Sequence, residues 1–342
     1  MRGFVAERVR IMSLLLAALL AFPAAAASQK SKGPTATEKA KGRVGERVVL
    51  KPWVSSLKSG NHGIAVKGFQ VYRVRMEKGS MLLLAPEDVG LSGWVGEDDV
   101  VALDEAVDYL TREIERQPSA RLYNFRATVR IELDDFEDAL KDCDEVVRLD
   151  PGYAVIYSVR GVILNRMGRY DEALASFGES IRLEPNAITH ANRGFLRVQM
   201  KDYKGAIDDF TEAIRRDRKE SVGLAGRAWV RATCPDAKFR DGPRAVDGAK
   251  AACELTEWKS AFCLDVLAEA TAEVGDFKAA VKWEKKALEY EPKDGGRRTD
   301  MEKRLALFQS GKPYRYEPKP RAKPSVDAPK PGPETKESAG SK

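Results

Sequence analysis

The chain offers few residues whose chemistry could support catalysis. Its two histidines lie far apart in sequence, His62 in a Gly-Asn-His-Gly turn and His190 at a helix position that normally packs. The sequence contains no glycine-rich phosphate loop, no His-Glu-x-x-His metal motif and no Gly-x-Ser-x-Gly nucleophile turn. Its carboxylates follow the spacing of helix surfaces, where they are normally solvated. We therefore predict a protein that is not an enzyme, needs no cofactor and has no small-molecule substrate.

Four cysteines are the other reactive side chains. Cys143 occupies a packed helix position and is expected to be a free thiol. Cys253 and Cys263 flank a predicted turn between helices, so a disulfide between them is one prediction, with Cys234 as the competing partner of Cys253. The cysteine spacing does not suit zinc and neither histidine is near in sequence, so no metal site is predicted.

A spacing of 33 or 34 residues recurs in the middle of the chain, at Ala139, Ala173 and Ala206. Each alanine follows an aromatic residue by three positions and a small residue by twelve. This register is typical of stacked helical hairpins, because two helices in contact need small residues where they cross. Pro151 and Pro185, twelve residues after two of the alanines, would end the second helix of each hairpin.

This register resembles that of the tetratricopeptide repeat family. The clearest unit carries Tyr157, Gly161, Gly168, Tyr170, Ala173, Phe177 and Pro185. The resemblance implies a mainly α fold, a right-handed α-solenoid of helical hairpins over residues 104–310, with about four and a half repeats and a capping helix at 299–308. Residues 234–243 interrupt the fourth repeat. We expect this insertion either to cap the next helix or to contact a partner.

The resemblance also implies that the first helix of each hairpin lines a concave groove. The groove residues predicted to bind a partner are Asn124, Val155, Ser158, Val162, Arg166, Ile188, Phe195, Gln199 and Trp229. The middle of this set is apolar, and exposed apolar surface usually marks a binding site. We expect a protein partner's peptide or helix there, the chain's own tail being another occupant. The alternative is that Phe195 and Trp229 pack between neighbouring repeats.

Arginines recur just before the small residue of each first helix, at Arg126, Arg160, Arg193 and Arg227. Asp142 and Asp209 lie at matching positions of two second helices. Such a ladder would suit an acidic ligand, but we favour a structural role, in which each arginine lies along its hairpin and pairs with an acidic group.

Residues 43–103 differ in composition from the repeats. Short β-branched or apolar runs separated by glycine-rich turns read as strands, at 46–51, 68–74 and 80–84. The Gly-Trp-Val motif at 93–95, followed by an acidic turn, resembles the last strands of bacterial SH3-like barrels. The resemblance implies a small all-β barrel docked against Ala106 and Leu110. Trp53 and Trp94 are its candidate ligand surface.

The two ends of the chain predict its location. Basic residues, an apolar run at 11–22 and small residues up to Ala27 have the order of a secretory signal, with cleavage after Ala27. The alternative is an uncleaved inner-membrane anchor over 11–27, although the apolar run is shorter than the roughly 20 residues of a membrane span. We predict an exported protein, periplasmic or secreted, with a linker over residues 28–42.

The tail at residues 311–342 holds seven of the 17 prolines, interleaved with lysine, and is predicted to be disordered. It carries eight basic and four acidic residues, and the signal carries three arginines and one glutamate. The remainder has 47 charges of each sign, so the net charge of +6 belongs to the ends. No nucleic-acid partner is therefore predicted, because nucleic-acid binding needs basic residues clustered on the folded surface.

Two functions follow from these observations. The first is a non-enzymatic, exported protein–protein interaction scaffold that binds a partner in the repeat groove. The second is a structural component of the cell envelope, whose barrel contacts peptidoglycan or a cell-wall peptide.

Overall fold

A computed structural model describes residues 42–59, 62–65, 71–86, 92–291 and 296–318. The predicted signal at 1–27, the linker up to residue 41 and residues 319–342 lie outside these ranges. None of the helices in the described ranges is both long enough and apolar enough to span a membrane.

The amino-terminal part is a small antiparallel β domain. Its strands are β1 (Arg47–Leu50), β2 (Ser56–Ser59), β3 (His62–Ala65), β4 (Val71–Lys78), β5 (Met81–Pro86), β6 (Gly93–Gly96) and β7 (Val100–Ala102). They form one sheet in the order β3-β2-β6-β5-β4-β1-β7. As predicted, a helical turn, Glu97–Asp99, links β6 to β7. No pairing between described residues joins the edge strands β3 and β7, so the closed SH3-like barrel stays a prediction.

The sequence placed His62 in a turn, whereas the structure places it at the start of β3. His62 pairs with Ser59 of β2, so only residues 60 and 61 separate the two strands. These two strands are short and carry few β-branched residues, which explains why the composition did not reveal them.

The strand β1 is buried on both faces. Val48 and Leu50 join the interior of the sheet with Tyr72 and Leu82. Val49, between them, faces the opposite way, because successive side chains of a strand alternate. Val49 packs with Val71 and Val101 against the first helices of the repeat array, where it meets Ala106, Leu110 and Val129. The predicted docking of the β domain on Ala106 and Leu110 is thus confirmed.

Twelve helices follow in the described residues. They are α1 (Ala106–Arg116), α2 (Ala120–Glu132), α3 (Phe136–Leu149), α4 (Ala154–Arg166), α5 (Tyr170–Leu183), α6 (Ala187–Gln199), α7 (Tyr203–Arg216), α8 (Ser221–Thr233), α9 (Gly242–Leu255), α10 (Ala261–Glu273), α11 (Phe277–Tyr290) and α12 (Gly296–Gln309). Helices α2–α11 form five antiparallel pairs, rather than the predicted four and a half repeats. Helix α12 packs on α11 as the predicted final helix.

Small residues permit the close crossing within each hairpin. A Cβ atom added to Gly161 would lie 2.7 Å from the ring of Phe177. The same atom on Gly194 would lie 2.9 Å from the ring of Phe210. Real Cβ atoms do not approach so closely, so any larger residue would separate the helices. The crossing predicted from the repeat spacing is confirmed.

The insertion at 234–243 caps two helices, which was one of the two roles predicted for it. Asp236 accepts a hydrogen bond from the Lys238 amide and caps the short helix Ala237–Phe239. Asp241 accepts from the Arg244 amide and caps α9. The guanidinium of Arg240 donates to the Cys234 carbonyl at 2.8 Å, so the loop is held by its own contacts.

Candidate functional site

The inner faces of α2, α4, α6 and α8 carry the nine residues predicted to bind a partner. Seven of them have exposed fractions of 8% or less, namely Asn124, Val155, Ser158, Val162, Ile188, Phe195 and Trp229. Arg166 and Gln199 are half-buried. First helices of successive repeats contact one another, as α6 does with α8 and α8 with α10. Their inward side chains therefore cover each other, and the apolar middle of the expected groove is core.

Phe195 shows this most clearly. Its ring packs edge-on against Phe210 with centroids 4.8 Å apart. It also lies 6.0 Å from Trp229 and 6.2 Å from Phe262. Phe195 therefore joins three successive repeats, which is the packing role that the sequence left open.

Trp229 is covered instead by the carboxy-terminal segment, which we define as residues 312–318. The ring of Tyr316 lies 4.7 Å from that of Trp229, and Tyr316 is only 4% exposed. The Tyr316 amide donates to the Thr233 carbonyl at 2.9 Å. That carbonyl is at the end of α8, where helical carbonyls have no partner within the helix. The prediction that the tail is disordered from residue 311 is therefore wrong for this segment.

An ion pair adds to the hold on the carboxy-terminal segment. The guanidinium of Arg315 lies 2.6 Å from the carboxylate of Glu273 on α10. The same carboxylate pairs with Arg240 of the insertion at 3.1 Å. The segment is thus bound by an aromatic contact, a main-chain hydrogen bond and a charge pair.

A buried charge cluster lies beneath the carboxy-terminal segment. Arg304 of α12 donates three hydrogen bonds to Asp265, at 2.7, 2.8 and 3.1 Å. It also lies 3.5 Å from Glu269 and 3.6 Å from Glu284. Tyr314 of the segment covers the Arg304 guanidinium, 5.5 Å from the ring centre. We call Asp265, Glu269, Glu284 and Arg304 the Arg304 cluster. The prediction from sequence that the carboxylates are solvated is wrong for these three acids.

The cluster holds more carboxylates than cations. Burial raises the pKa of Glu269 and of Glu284 well above the ordinary range, and the nearby Asp265 raises both further. Perturbed carboxylates of this kind occur in active sites, but also in structural ion-pair networks. Glu284 is fully buried, which favours the structural interpretation.

Replacing Glu284 by glutamine should stabilise the protein at alkaline pH. The folded state keeps a proton that the unfolded state releases above the ordinary value of 4.5. The parent protein therefore loses stability as the pH rises from about 4.5 towards the raised pKa, and Glu284→Gln removes this loss. Denaturant unfolding at pH 4.5 and pH 8 should show the variant gaining at least about 1 kcal/mol on the parent between these values.

Glu212→Gln provides a control of opposite sign. Hydrogen bonds from Arg215 and Arg216 lower the pKa of Glu212 to about 2. The Glu212 carboxylate therefore stabilises the folded state above its unfolded pKa, and this stabilisation is lost as the pH falls. Glu212→Gln should consequently not stabilise the protein at pH 8. The prediction for Glu284→Gln would be contradicted if its free energy of unfolding changed with pH in parallel with that of the parent.

A small pocket remains between the carboxy-terminal segment and the array. Its lining consists of Trp229, Phe262, Asp265, Glu269, Arg297, Asp300, Arg304, Tyr314 and Tyr316. Within the described ranges, no group of histidine, cysteine and carboxylate side chains could hold a metal ion. The pocket combines aromatic walls with charges of both signs, which suits the side chain of a peptide.

A sequence model of the tetratricopeptide repeat family matches residues 154–186. These residues form the α4–α5 hairpin, the unit in which the register is clearest. The α4–α5 hairpin thus matches the tetratricopeptide repeat. The other hairpins of the array share its fold, and we call the helical array the tetratricopeptide array.

The relatives match only part of this chain. Hsp70-Hsp90 organizing protein 3 of Arabidopsis thaliana is 33% identical over 82 residues, which are 24% of this chain and 15% of that protein. Tetratricopeptide repeat protein 13 of Homo sapiens is 28% identical over 88 residues, 26% of this chain and 10% of that protein. The chain thus spans between 10% and 15% of the length of these relatives.

The fold of the array is shared with solved structures. A chain of the crystal structure of the APC/C hetero-tetramer Cut9-Hcn1 superimposes with a TM-score of 0.53 at 14% identity, over 61% of this chain and 40% of that one. Tetratricopeptide repeats generally mediate protein–protein interactions, and proteins built from them are typically not enzymes.

The two tryptophans of the β domain have different surroundings. Trp53 is 57% exposed and lies beside Tyr109 of the tetratricopeptide array, 6.2 Å between ring centres. Trp94 is half-buried in β6, where it pairs with Lys58 and Leu83. The comparisons give no support to the predicted cell-wall contact of these residues, which stays a prediction.

All four cysteines are buried free thiols in the structure. The predicted Cys253–Cys263 disulfide is therefore absent from it, as is the alternative pairing with Cys234. Burial and the neighbouring Cys263 thiol raise the pKa of Cys253 to about 12. These thiols lie in the core of the tetratricopeptide array, as Cys143 was predicted to do.

The arginine ladder pairs with buried aspartates in two tetratricopeptide repeats. Arg126 lies 2.6 Å from Asp142, and Arg193 lies 2.7 Å from Asp209. Both aspartates are buried, which confirms the structural role for these two arginines. Each of these two repeats has a second arginine one helical turn further along its first helix. The sequence analysis did not single these arginines out.

Proposed function

We propose that this protein is a non-enzymatic interaction scaffold whose tetratricopeptide array binds an extended peptide of a protein partner on the inner side of α8 and α10. One observation carries the proposal. An extended stretch of the chain's own sequence, residues 312–318, already occupies this surface, with Tyr316 buried against Trp229.

The contacts of that segment define what a partner peptide needs. An aromatic side chain fills the place above Trp229, a main-chain N–H meets the Thr233 carbonyl, and a cation pairs with Glu273. Buried aromatic and arginine side chains commonly supply most of the energy of such contacts. We infer a partner peptide with an aromatic-basic-aromatic pattern, like Tyr314-Arg315-Tyr316, that replaces the segment.

We also propose that binding takes place outside the cytoplasm. The support is the order of basic, apolar and small residues over 1–27, which is that of a secretory signal. The partner would then be a periplasmic or secreted protein.

The proposal is tested with a fluorescent peptide of residues 310–320. In the parent protein the tethered segment competes at a millimolar effective concentration. A Tyr314→Ala/Tyr316→Ala variant releases the segment and should bind the peptide at least about tenfold more tightly than the parent. Fluorescence anisotropy measures both affinities.

Two controls make the result specific. A peptide with alanine at both tyrosine positions should not bind, and Trp229→Ala in the released variant should abolish binding of the native peptide. Circular dichroism checks that each variant keeps its helices. A folded, released variant that does not bind the native peptide would refute the proposed surface.

A further inference from the structure

In the first and third repeats, two arginines share one buried aspartate. Asp142 binds Arg126 and Arg130, both at 2.6 Å. Asp209 binds Arg193 at 2.7 Å and Arg197 at 2.8 Å in the same arrangement. Each aspartate lies three positions after the crossing alanine of its second helix.

The fourth repeat keeps both arginines but lacks the acid. Arg227 and Arg231 occupy the arginine positions of α8, and the aspartate position of α9 is Gly248, three residues after Ala245. The register of the two helices is retained, because a Cβ atom on Gly248 would lie 3.3 Å from the Cβ of Ala228, the crossing residue. A carboxylate at this place would therefore point towards the same two arginines.

The second repeat has lost both the aspartate and the second arginine. Ser176 stands at its aspartate position and Leu164 at its second arginine position, so only Arg160 remains. Arg160 finds another acid, Asp144, at 3.8 Å. The fourth repeat differs, because it has lost the anion and kept both cations.

The surroundings of Arg227 match those of Arg126. Arg126 donates to the hydroxyl of Thr111 at 2.8 Å, and Arg227 donates to the hydroxyl of Thr211 at 3.3 Å. In both repeats, the first arginine thus donates a hydrogen bond to a threonine hydroxyl of the preceding helix. Only the carboxylate is missing in the fourth.

In the part of the chain that the structure describes, no acid forms an ion pair with either of the two cations. Among the described residues, the Arg231 guanidinium makes neither a hydrogen bond nor an ion pair, and Arg227 bonds only to Thr211. Asp241 attracts Arg231 electrostatically but forms no ion pair with it, since Asp241 caps α9 and pairs with Arg244 at 3.3 Å. Burial lowers the pKa of both Arg227 and Arg231, and the charge of Arg231 lowers that of Arg227 further.

We propose that Arg227, Arg231 and Thr211 form a binding site for a carboxylate of a partner protein, which takes the place that Asp142 and Asp209 take in their repeats. Pairs of this kind bind carboxylates strongly, because both guanidinium groups donate charged hydrogen bonds. The site is separate from the peptide surface. Trp229 is two residues from each arginine and therefore lies on the opposite side of α8.

The first test supplies the missing carboxylate from within the chain. Gly248→Asp should raise Tm by at least about 2 °C relative to Gly248→Asn. Asparagine has the same shape and the same contact with Ala228 but carries no charge, so the comparison isolates the carboxylate. Equal Tm values for the two variants, measured by calorimetry, would overturn the proposal.

The second test uses the parent chain and does not depend on how the variants fold. Titration with succinate at constant ionic strength should shift the Nε–Hε NMR signals of Arg227 and Arg231 saturably. The signals of Arg126 and Arg193, whose sites are filled, should not move. Arg227→Gln should abolish the shift of the remaining Arg231 signal, and Arg231→Gln should abolish that of Arg227. An absent shift, or one shared by all arginines, would overturn the site.

Inorganic phosphate distinguishes the chemistry of the ligand. Succinate should bind at least as tightly as phosphate, because the site is shaped like those that hold an aspartate. Saturation by phosphate alone would overturn the assignment to carboxylates.

Discussion

Replacing Phe195 by alanine is expected to lower the free energy of unfolding by about 3–5 kcal/mol. The ring is 2% exposed and contacts aromatic residues of its own and the two following repeats. Its loss leaves a cavity where three repeats meet, and rigid neighbouring helices cannot close it. Urea denaturation followed by circular dichroism measures the effect.

Tyr290→Ala is the matched control, because this aromatic residue is 46% exposed. Its removal should cost less than about 1 kcal/mol. If Phe195→Ala were equally mild, Phe195 would not join the repeats. The expected size of the loss also means that weaker partner binding by Phe195→Ala would reflect lost structure rather than a lost contact.

Replacing Arg304 by methionine should destabilise the protein by about 3–5 kcal/mol at neutral pH. Methionine fills much of the same volume, but it leaves Asp265, Glu269 and Glu284 buried without their cation. Removing one partner of a buried ion pair is costly because the remaining charges cannot regain water. Denaturant unfolding at pH 7 tests the loss.

The pH dependence identifies the cause of this loss. Loss of Arg304 removes the cation that allows the cluster to hold an ionised carboxylate, so the folded variant keeps one more proton than the folded parent. The deficit should therefore grow as the pH rises above about 4.5 and shrink below it. Arg215→Met, which removes an exposed pair with Glu212, should change the free energy of unfolding far less, because water screens exposed ion pairs. A deficit that does not change with pH would point to lost packing of the side-chain stem instead.

The same cluster ties the carboxy-terminal segment to the end of the array. Tyr314 covers Arg304, and Arg315 binds Glu273 of the helix that also carries Asp265. A partner peptide that displaced the segment would uncover this cluster to solvent. The affinity of the array for partners would thus include the cost of releasing the segment.

Local sequence determined the repeat units. The spacing of Ala139, Ala173 and Ala206 sets where helices cross, and Gly161 and Gly194 confirm it, because only a small residue fits against Phe177 and Phe210. Helix pairing within a hairpin depends on residues close in the chain, so the periodic pattern is enough to predict it.

Tertiary structure alone decided which of the predicted groove residues remain accessible to solvent. Val162 and Phe195 were predicted to face a groove, yet neighbouring first helices cover them. The distance between first helices depends on how successive hairpins stack, and a pattern within one hairpin does not contain that information.

The sequence by itself determined the repeats, their small-residue crossings and the docking of the β domain on α1. The tertiary structure decided the place of Tyr316, whose partner Trp229 is far away in the chain. It also decided the burial of Glu284, whose cation Arg304 lies on another helix. The physical reason is that composition reports the average cost of burying a segment, whereas one well-placed aromatic or charged partner can offset that cost locally.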